Sequence, residues 1–273
     1  MGEIHFLDVG CADTTIIKSG KATILIDCSY LICTYENLLP KNHQIDAVFI
    51  THHHNDHFQG LGYLLQNKYT INSIFYSPYV WHEGEQSFRK SEWDDITSYL
   101  NAYERKGTNL KAVYRQSDFS RPSFEIEDMK FYIIEPKKEL MVERQRHIHD
   151  GCLVIFSKLG NLKCLFTGDA SDVSLSHIMN HDHSFSCKDV DILHASHHGS
   201  INGAEERFIR KCNPAYTIIS TGIYNQNINI PHPTAIARYK RYTRQKVFRT
   251  DTNGSISATW NPNLVFQGEY LSE

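Results

Sequence analysis

The chain has 273 residues, of which 41% are hydrophobic, 12% aromatic and 22% charged, with 15 Gly and 8 Pro. That balance excludes disordered, collagenous and low-complexity classes, and the length favours one enlarged domain over residues 1–273 rather than two average ones. Lys and Arg number 28 against 31 Asp and Glu, a net charge of -3 that excludes a uniformly basic nucleic-acid binder, whereas 16 histidines point to a histidine-dependent site.

Turn signals divide the first 60 residues into strands at Ile4–Val9, Thr14–Lys18, Thr23–Ile26 and Ala47–Thr51, with a helix at Tyr30–Leu39 ended by Pro40. A helix follows at Gly60–Gln66, a strand at Ser73–Tyr76 and a longer helix at Ser87–Arg105, stopped by Gly107. Short β-rich runs return at Ala112–Tyr114, Met129–Ile134, Cys152–Lys158 and Lys163–Thr167, and the charged segment Lys137–Arg146 reads as a solvated loop or short helix. Then come strand Val190–His194, helix Ala204–Lys211, strand Tyr216–Ser220, helix Pro233–Thr243 and strands Lys246–Arg249 and Ser255–Trp260. Strands in two groups with helices between them predict an α/β sandwich, two sheets face to face with helices outside. No fixed-period repeat and no Pro/Ser/Gly-rich linker divides the chain.

The seven cysteines, Cys11, Cys28, Cys33, Cys152, Cys164, Cys187 and Cys212, are scattered and contain no CxxC pair. This predicts free thiols in a reducing compartment and no structural disulfides. Met1–Gly10 lacks the features of a signal peptide, Phe6 stands where a myristoylation signal wants Ser or Thr, and no stretch approaches 18 apolar residues. The expectation is a cytoplasmic protein without a membrane partner.

Three apolar runs end in metal-type ligands. In Val48–His57 a strand runs into His52, His53, His54, Asn55, Asp56 and His57, an HxHxDH spacing in which residues two apart can face one ion. In Leu165–Asp169 an aspartate follows a strand and a glycine, and its two oxygens can serve two ions about 3.5–4 Å apart. In Asp191–Ser200 a strand runs into His197 and His198. His197 is the expected ligand, with His198 and Ser200 left to contact substrate oxygens and His194 read as a core or supporting residue.

These segments resemble the metallo-β-lactamase fold superfamily, and more narrowly the hydrolase domain at the C-terminal end of the DNA-uptake protein ComEC and its free-standing relatives. The resemblance rests on Phe6–Asp13, Ile24–Asp27, the HxHxDH run, Phe166–Asp169, Ser196–Ser200, Pro231–Pro233 and Phe248–Ile256. It implies a four-layer αββα sandwich. It also implies two divalent ions, zinc or manganese: His52 and His54 for the first, Asp56, His57 and His197 for the second, and Asp169 bridging. His149 is the candidate for the remaining first-site ligand, in competition with Asp150. Asp27, and with it Asp13, would support the ligands without binding. The opening Gly10-Cys11-Ala12-Asp13 departs from the GQGD-like pattern of that branch.

Two ions sharing Asp169 would lower the pKa of a water between them, and Asp56, His198 and His232 are the residues expected to act in catalysis, with His198, Ser200 and His232 binding substrate oxygens. The leading expectation is a phosphodiesterase or nuclease acting on a nucleic acid or nucleotide, alone or with a separately encoded protein partner. Hydrolysis of a small ester, thioester or β-lactam is the alternative enzyme reading, and a non-catalytic, metal-stabilised regulatory subunit the alternative of another class. The run Arg238–Arg249 holds six basic residues among Tyr and Phe, which suits either a phosphate backbone or a solvated helix face. His5, His43, His53, His82 and the group His177, His181 and His183 are expected to lie outside the site.

Overall fold

The computed structural model describes residues 2–82, 87–143, 147–181, 187–222, 229–260 and 263–268. His183 and residues 144–146 of the charged segment lie outside them. One sheet has eight strands, β1 (Gly2–Phe6), β2 (Thr15–Ser19), β3 (Ala22–Ile26), β4 (Gln44–Ile50), β5 (Thr70–Tyr76), β6 (Asn109–Ala112), β14 (Ile256–Trp260) and β15 (Leu264–Gly268), in the order β15-β14-β1-β2-β3-β4-β5-β6. The other has seven, β7 (Phe124–Ile126), β8 (Met129–Glu135), β9 (Val154–Leu159), β10 (Leu162–Phe166), β11 (Ile192–His194), β12 (Tyr216–Ile219) and β13 (Lys246–Arg249), in the order β13-β12-β11-β10-β9-β8-β7.

Central strands are apolar throughout because both faces are covered. Ile24, Ile26, Ala47, Phe49, Cys164 and Phe166 point between the sheets. The residues in alternate register, Leu25, Val48 and Ile50, pack instead under α2 (Gly60–Gln66) and α3 (Ser87–Arg105) through Leu61, Leu64, Ile96, Leu100 and Tyr103. Leu165 and Leu193 lie under α5 (Asp172–His181), α6 (Glu206–Cys212) and α7 (Pro233–Tyr242), which contribute Leu175, Phe208, Ile209 and Tyr239. Helices thus cover the outside of both sheets, the four-layer αββα sandwich that was expected.

Two blocks of parallel strands, β3 to β6 and β10 to β13, send β3, β4, β10 and β11 out into the loops that carry Asp27, the HxHxDH run, Asp169 and His197–His198. Ligand sites in such sheets form outside the carboxyl ends of the strands. No helix among the described residues is long and apolar enough to cross a membrane, and all seven cysteines are free.

The differences from the expected elements fall mainly at sheet edges. The strand expected at Ala112–Tyr114 lies at β6, whose side chains are largely exposed, and β7 and β15, both terminal strands, were not expected at all. Edge strands are covered less and so lack the apolar signature of central ones. Helix α5 was also unexpected. Within the charged segment, α4 spans Lys138–Glu143.

Phe49 stacks on Phe75 of its own sheet at 4.7 Å and on Phe131 of the other at 5.1 Å, and all three are buried. Phe49→Ala should therefore lower unfolding free energy by about 3–5 kcal/mol in urea titrations, and Phe49→Leu by clearly less.

Candidate metal centre

Asp27 organises the first loop. It sits just past β3 with φ 56°, and its Oδ1 accepts the Thr51 backbone N–H at 2.7 Å. Its Oδ2 accepts both the Thr51 hydroxyl and His57 Nδ1–H at 2.8 Å. One buried carboxylate therefore holds the start and the end of the HxHxDH run, and α1 (Asn55–Phe58) carries Asp56 and His57 inward.

Asp169 lies where the two sheets' loops meet. Around its Oδ2 gather His52 Nε2 at 3.6 Å and His149 Nε2 at 3.9 Å, while His54 Nδ1 is 2.8 Å from His52 Nε2 and 3.4 Å from His149 Nε2. These four form a first donor set. Asp150, the competitor of His149, instead accepts a hydrogen bond from the Ser171 hydroxyl.

Around Asp169 Oδ1 a second set forms from His57 Nε2 at 3.5 Å and His198 Nε2 at 3.6 Å, with Asp56 Oδ2 3.6 Å from the former and 3.3 Å from the latter. His198 Nδ1 lies 3.0 Å from the Ser220 carbonyl, which can only accept, so Nδ1 carries a proton and Nε2 is the ring nitrogen that faces the carboxylates. His197, expected in this set, lies on the other side: its Nε2 is 3.6 Å from Asp169 Oδ2 and its ring 4.5 Å from that of His149. The two histidines take left-handed backbone angles, φ 52° and 51°, and the turn they make sends the second ring inward. A His-His doublet carries no sequence signal for that choice.

Asp13, expected only to support the ligands, joins His57, Asp169 and His198 in a buried group whose potential ligand atoms all lie within 4.8 Å of one another. Its oxygens lie 4.0 Å from His57 Nδ1 and 3.8 Å from His198 Nδ1, the edges facing away from Asp169, and 3.4 Å from His194 Nε2. His194 is buried and within 2.7 Å of the Ser220 hydroxyl. Ser200 Oγ accepts the Asn202 N–H within its own turn. His232 caps α7, its Nδ1 accepting the Thr234 N–H at 3.1 Å and its own N–H donating to Gly199 O at 2.9 Å, which places it beside the His198 turn.

Much of the basic run is used within the fold. Arg238 donates to Ala204 O, Arg244 to Asn213 O, and Arg241 and Arg249 pair with Glu206 and Asp251. These contacts favour the solvated-face reading of that helix.

Electrostatics separate the two sets. Burial and neighbouring imidazoles pull His52 well below the ordinary histidine value and His54 down to about 2, and burial takes His149 to about 4. Burial also opposes charge on His57, but Asp27, Asp169 and Asp56 overcome it and push this group up, and Asp169 and Asp13 do the same for His198. His57 Nε2, His198 Nε2 and Asp169 Oδ1 are buried without a hydrogen-bond partner. Such atoms are costly unless another charge satisfies them, and imidazole–carboxylate sets of this kind suit divalent cations, so the residues fit two ions.

Because His57 and His198 are held protonated, an ion entering the second set at neutral pH must displace those protons. Metal uptake should release protons, measured calorimetrically in buffers of different ionisation enthalpy, and affinity should fall as pH falls. Asp27→Asn should weaken metal affinity about 10- to 100-fold in competition with a chelating dye.

The fold has many solved counterparts. The metallo-β-lactamase fold protein YhfI from Bacillus subtilis aligns over 94% of this chain and 100% of its own, at 15% identity and TM-score 0.57. A diphosphatase from the PhnP family aligns over 97% and 100%, at 12% identity and TM-score 0.52. The short form of human tRNase Z aligns over 91% and 96%, at 14% identity and TM-score 0.52. These likenesses establish the metallo-β-lactamase fold. A search of curated proteins returned no match. The family model described as Anti-Pycsar protein Apyc1 matches residues 11–203, a span that contains every donor of both sets, and the chain belongs to that family.

Proposed function

We propose that the chain, with residues 1–273 acting as one domain, is a dinuclear metal-dependent hydrolase that cleaves phosphodiester bonds in a nucleic acid or nucleotide. The observation that carries this reading is the pair of donor sets sharing Asp169, one oxygen facing each. His52, His54, His149 and Asp169 would hold one ion, and Asp56, His57, His198 and Asp169 the other. Bound zinc or manganese would supply Lewis acidity, lowering the pKa of water and neutralising phosphoryl charge.

The chain's own residues supply orientation and proton transfer. Asp27 and Asp13 fix His57 and His198 from behind. His197, displaced from the second set and partly exposed at the rim, is assigned here to substrate oxygens. His232 accepts from Thr234 at Nδ1, so its neutral ring carries the proton on Nε2, ready for a leaving alkoxide. Ser200 shapes the turn that holds these histidines.

The family's name speaks of opposition to Pycsar, and the names of two fold neighbours, a diphosphatase and a tRNase Z, agree with a phosphoryl substrate. The likeness of Ser196–Ser200 and Pro231–Pro233 to ComEC-type hydrolases supports the same choice. Free thiols support a cytoplasmic location.

The test is a substrate panel of single-stranded DNA, RNA, bis(p-nitrophenyl) phosphate, p-nitrophenyl acetate and a chromogenic β-lactam. Phosphodiester cleavage should be lost with EDTA, return with Mn²⁺ or Zn²⁺, and fall to background in Asp169→Ala and His54→Ala proteins that keep their circular dichroism spectrum. Turnover of the ester or lactam alone, or cleavage indifferent to EDTA, would overturn the proposal.

A further inference from the structure

A cleft of about 410 Å³ opens where α2, α3 and the 3-10 helix Tyr30–Leu38 meet. Helix α2 buries Leu61 and Leu64 in the core beneath it. Gln59, Gly62, Tyr63 and Gln66 recur at the i, i+3, i+4, i+7 spacing of a different helix face, and this face forms one wall of the cleft. Tyr99 of α3 and Tyr30 of the 3-10 helix complete the lining, which holds three phenols, two carboxamides and no charged side chain. Among the described residues none of these five polar side chains has a hydrogen-bond partner, so their donors and acceptors are left to solvent or a ligand. Gly62 shapes the floor. A Cβ there would lie 2.8 Å from the Tyr99 hydroxyl and 2.9 Å from Tyr99 Cζ. Glycine inside a helix is destabilising relative to alanine, and here it lets the phenol lie directly against the α2 backbone. Phe58 meets the same ring edge to face at 6.3 Å, so Tyr99 is held from two sides.

We propose that this cleft binds a nucleobase, with the tyrosine rings supplying stacking surface and Gln59 and Gln66 hydrogen-bonding to the edge of the base. A carboxamide presents a donor and an acceptor side by side, the pairing that glutamine makes with adenine, and every base has a π face for an aromatic side chain. A sugar ring has no such face. A free phosphate or an acidic peptide would need cations that the lining lacks. The cleft shares no residue with either donor set, so base binding there depends neither on metal nor on the reaction assigned above. It is nevertheless close in the chain: Gln59 directly follows α1, which carries Asp56 and His57, and its N–H donates to Asn55 O at 3.1 Å.

The experiment is saturation-transfer NMR with adenosine, guanosine, cytidine and uridine, followed by calorimetry, on zinc-loaded and on EDTA-treated protein. At least one nucleoside should bind, with the same Kd in both preparations. Tyr30 and Gln66 are exposed, so Tyr30→Ala and Gln66→Ala keep the fold, and each should raise that Kd about 10-fold. Gly62→Ala, which suits a helix better than glycine, should push Tyr99 aside and weaken binding as much at an unchanged circular dichroism spectrum. No binding of any nucleoside at millimolar concentration, or a Kd within twofold of the parent value in both exposed-residue variants, overturns the proposal. So does binding that disappears with EDTA, which would put the base at the metal centre, and so does binding of glucose or maltose alone. Nucleoside binding with the expected variant pattern in a protein that cleaves no phosphodiester would sink the reaction assigned above and leave the cleft standing.

Discussion

The carboxylate of Asp169 is the interaction on which the site depends. Burial alone would favour its neutral form, yet His197, His198, His57 and His149 together hold it far below the ordinary carboxylate range. It reaches this position because residue 168 is glycine. Gly168 has φ 46°, and a Cβ there would come within 2.7 Å of Thr51 and of Cys152 Sγ. The loop after β10 can therefore press against the loop after β4, while Gly168 O accepts the His197 N–H at 2.9 Å. One small residue lets three strand ends meet around one charge.

Behind the donors stand Asp27 and Asp13, addressing the Nδ1 edges of imidazoles whose Nε2 edges face inward. The Asp27 hydrogen bond fixes the His57 ring and the Ser220 carbonyl that of His198, while Asp13 adds its charge from 3.8–4.0 Å. Strain accompanies the arrangement: Asp27, His197 and His198 all occupy the left-handed region that favours glycine. Three of the chain's positive-φ residues thus lie at the donor cluster, where the backbone turn decides which ring faces Asp169.

The central fold was legible because burial on both faces leaves an apolar run with turns at its ends, as in β3, β4 and β10. The exposed β6 and the three-residue β7 carry no such run, and in β15 it is only Leu264-Val265-Phe266, too short to stand out. For the candidate site, spacing alone brings His52, His54, Asp56 and His57 onto one loop, and the structure does gather them near Asp169. The choice between His197 and His198 depends on two consecutive left-handed residues, which no residue-type pattern specifies.

The two donor sets also have a mechanical meaning. His52, His54, Asp56 and His57 leave the eight-stranded sheet, whereas His149, Asp169 and His198 belong to the seven-stranded one. An ion coordinated there spans the sandwich like a rivet through two plates. Because the potential donors are spread from residue 13 to residue 198, such a rivet would close only after distant strands have paired and the plates have docked. Metal bound there would lock a finished chain topology instead of templating it, unlike small domains whose ligands lie within one short segment and whose folding waits on the ion.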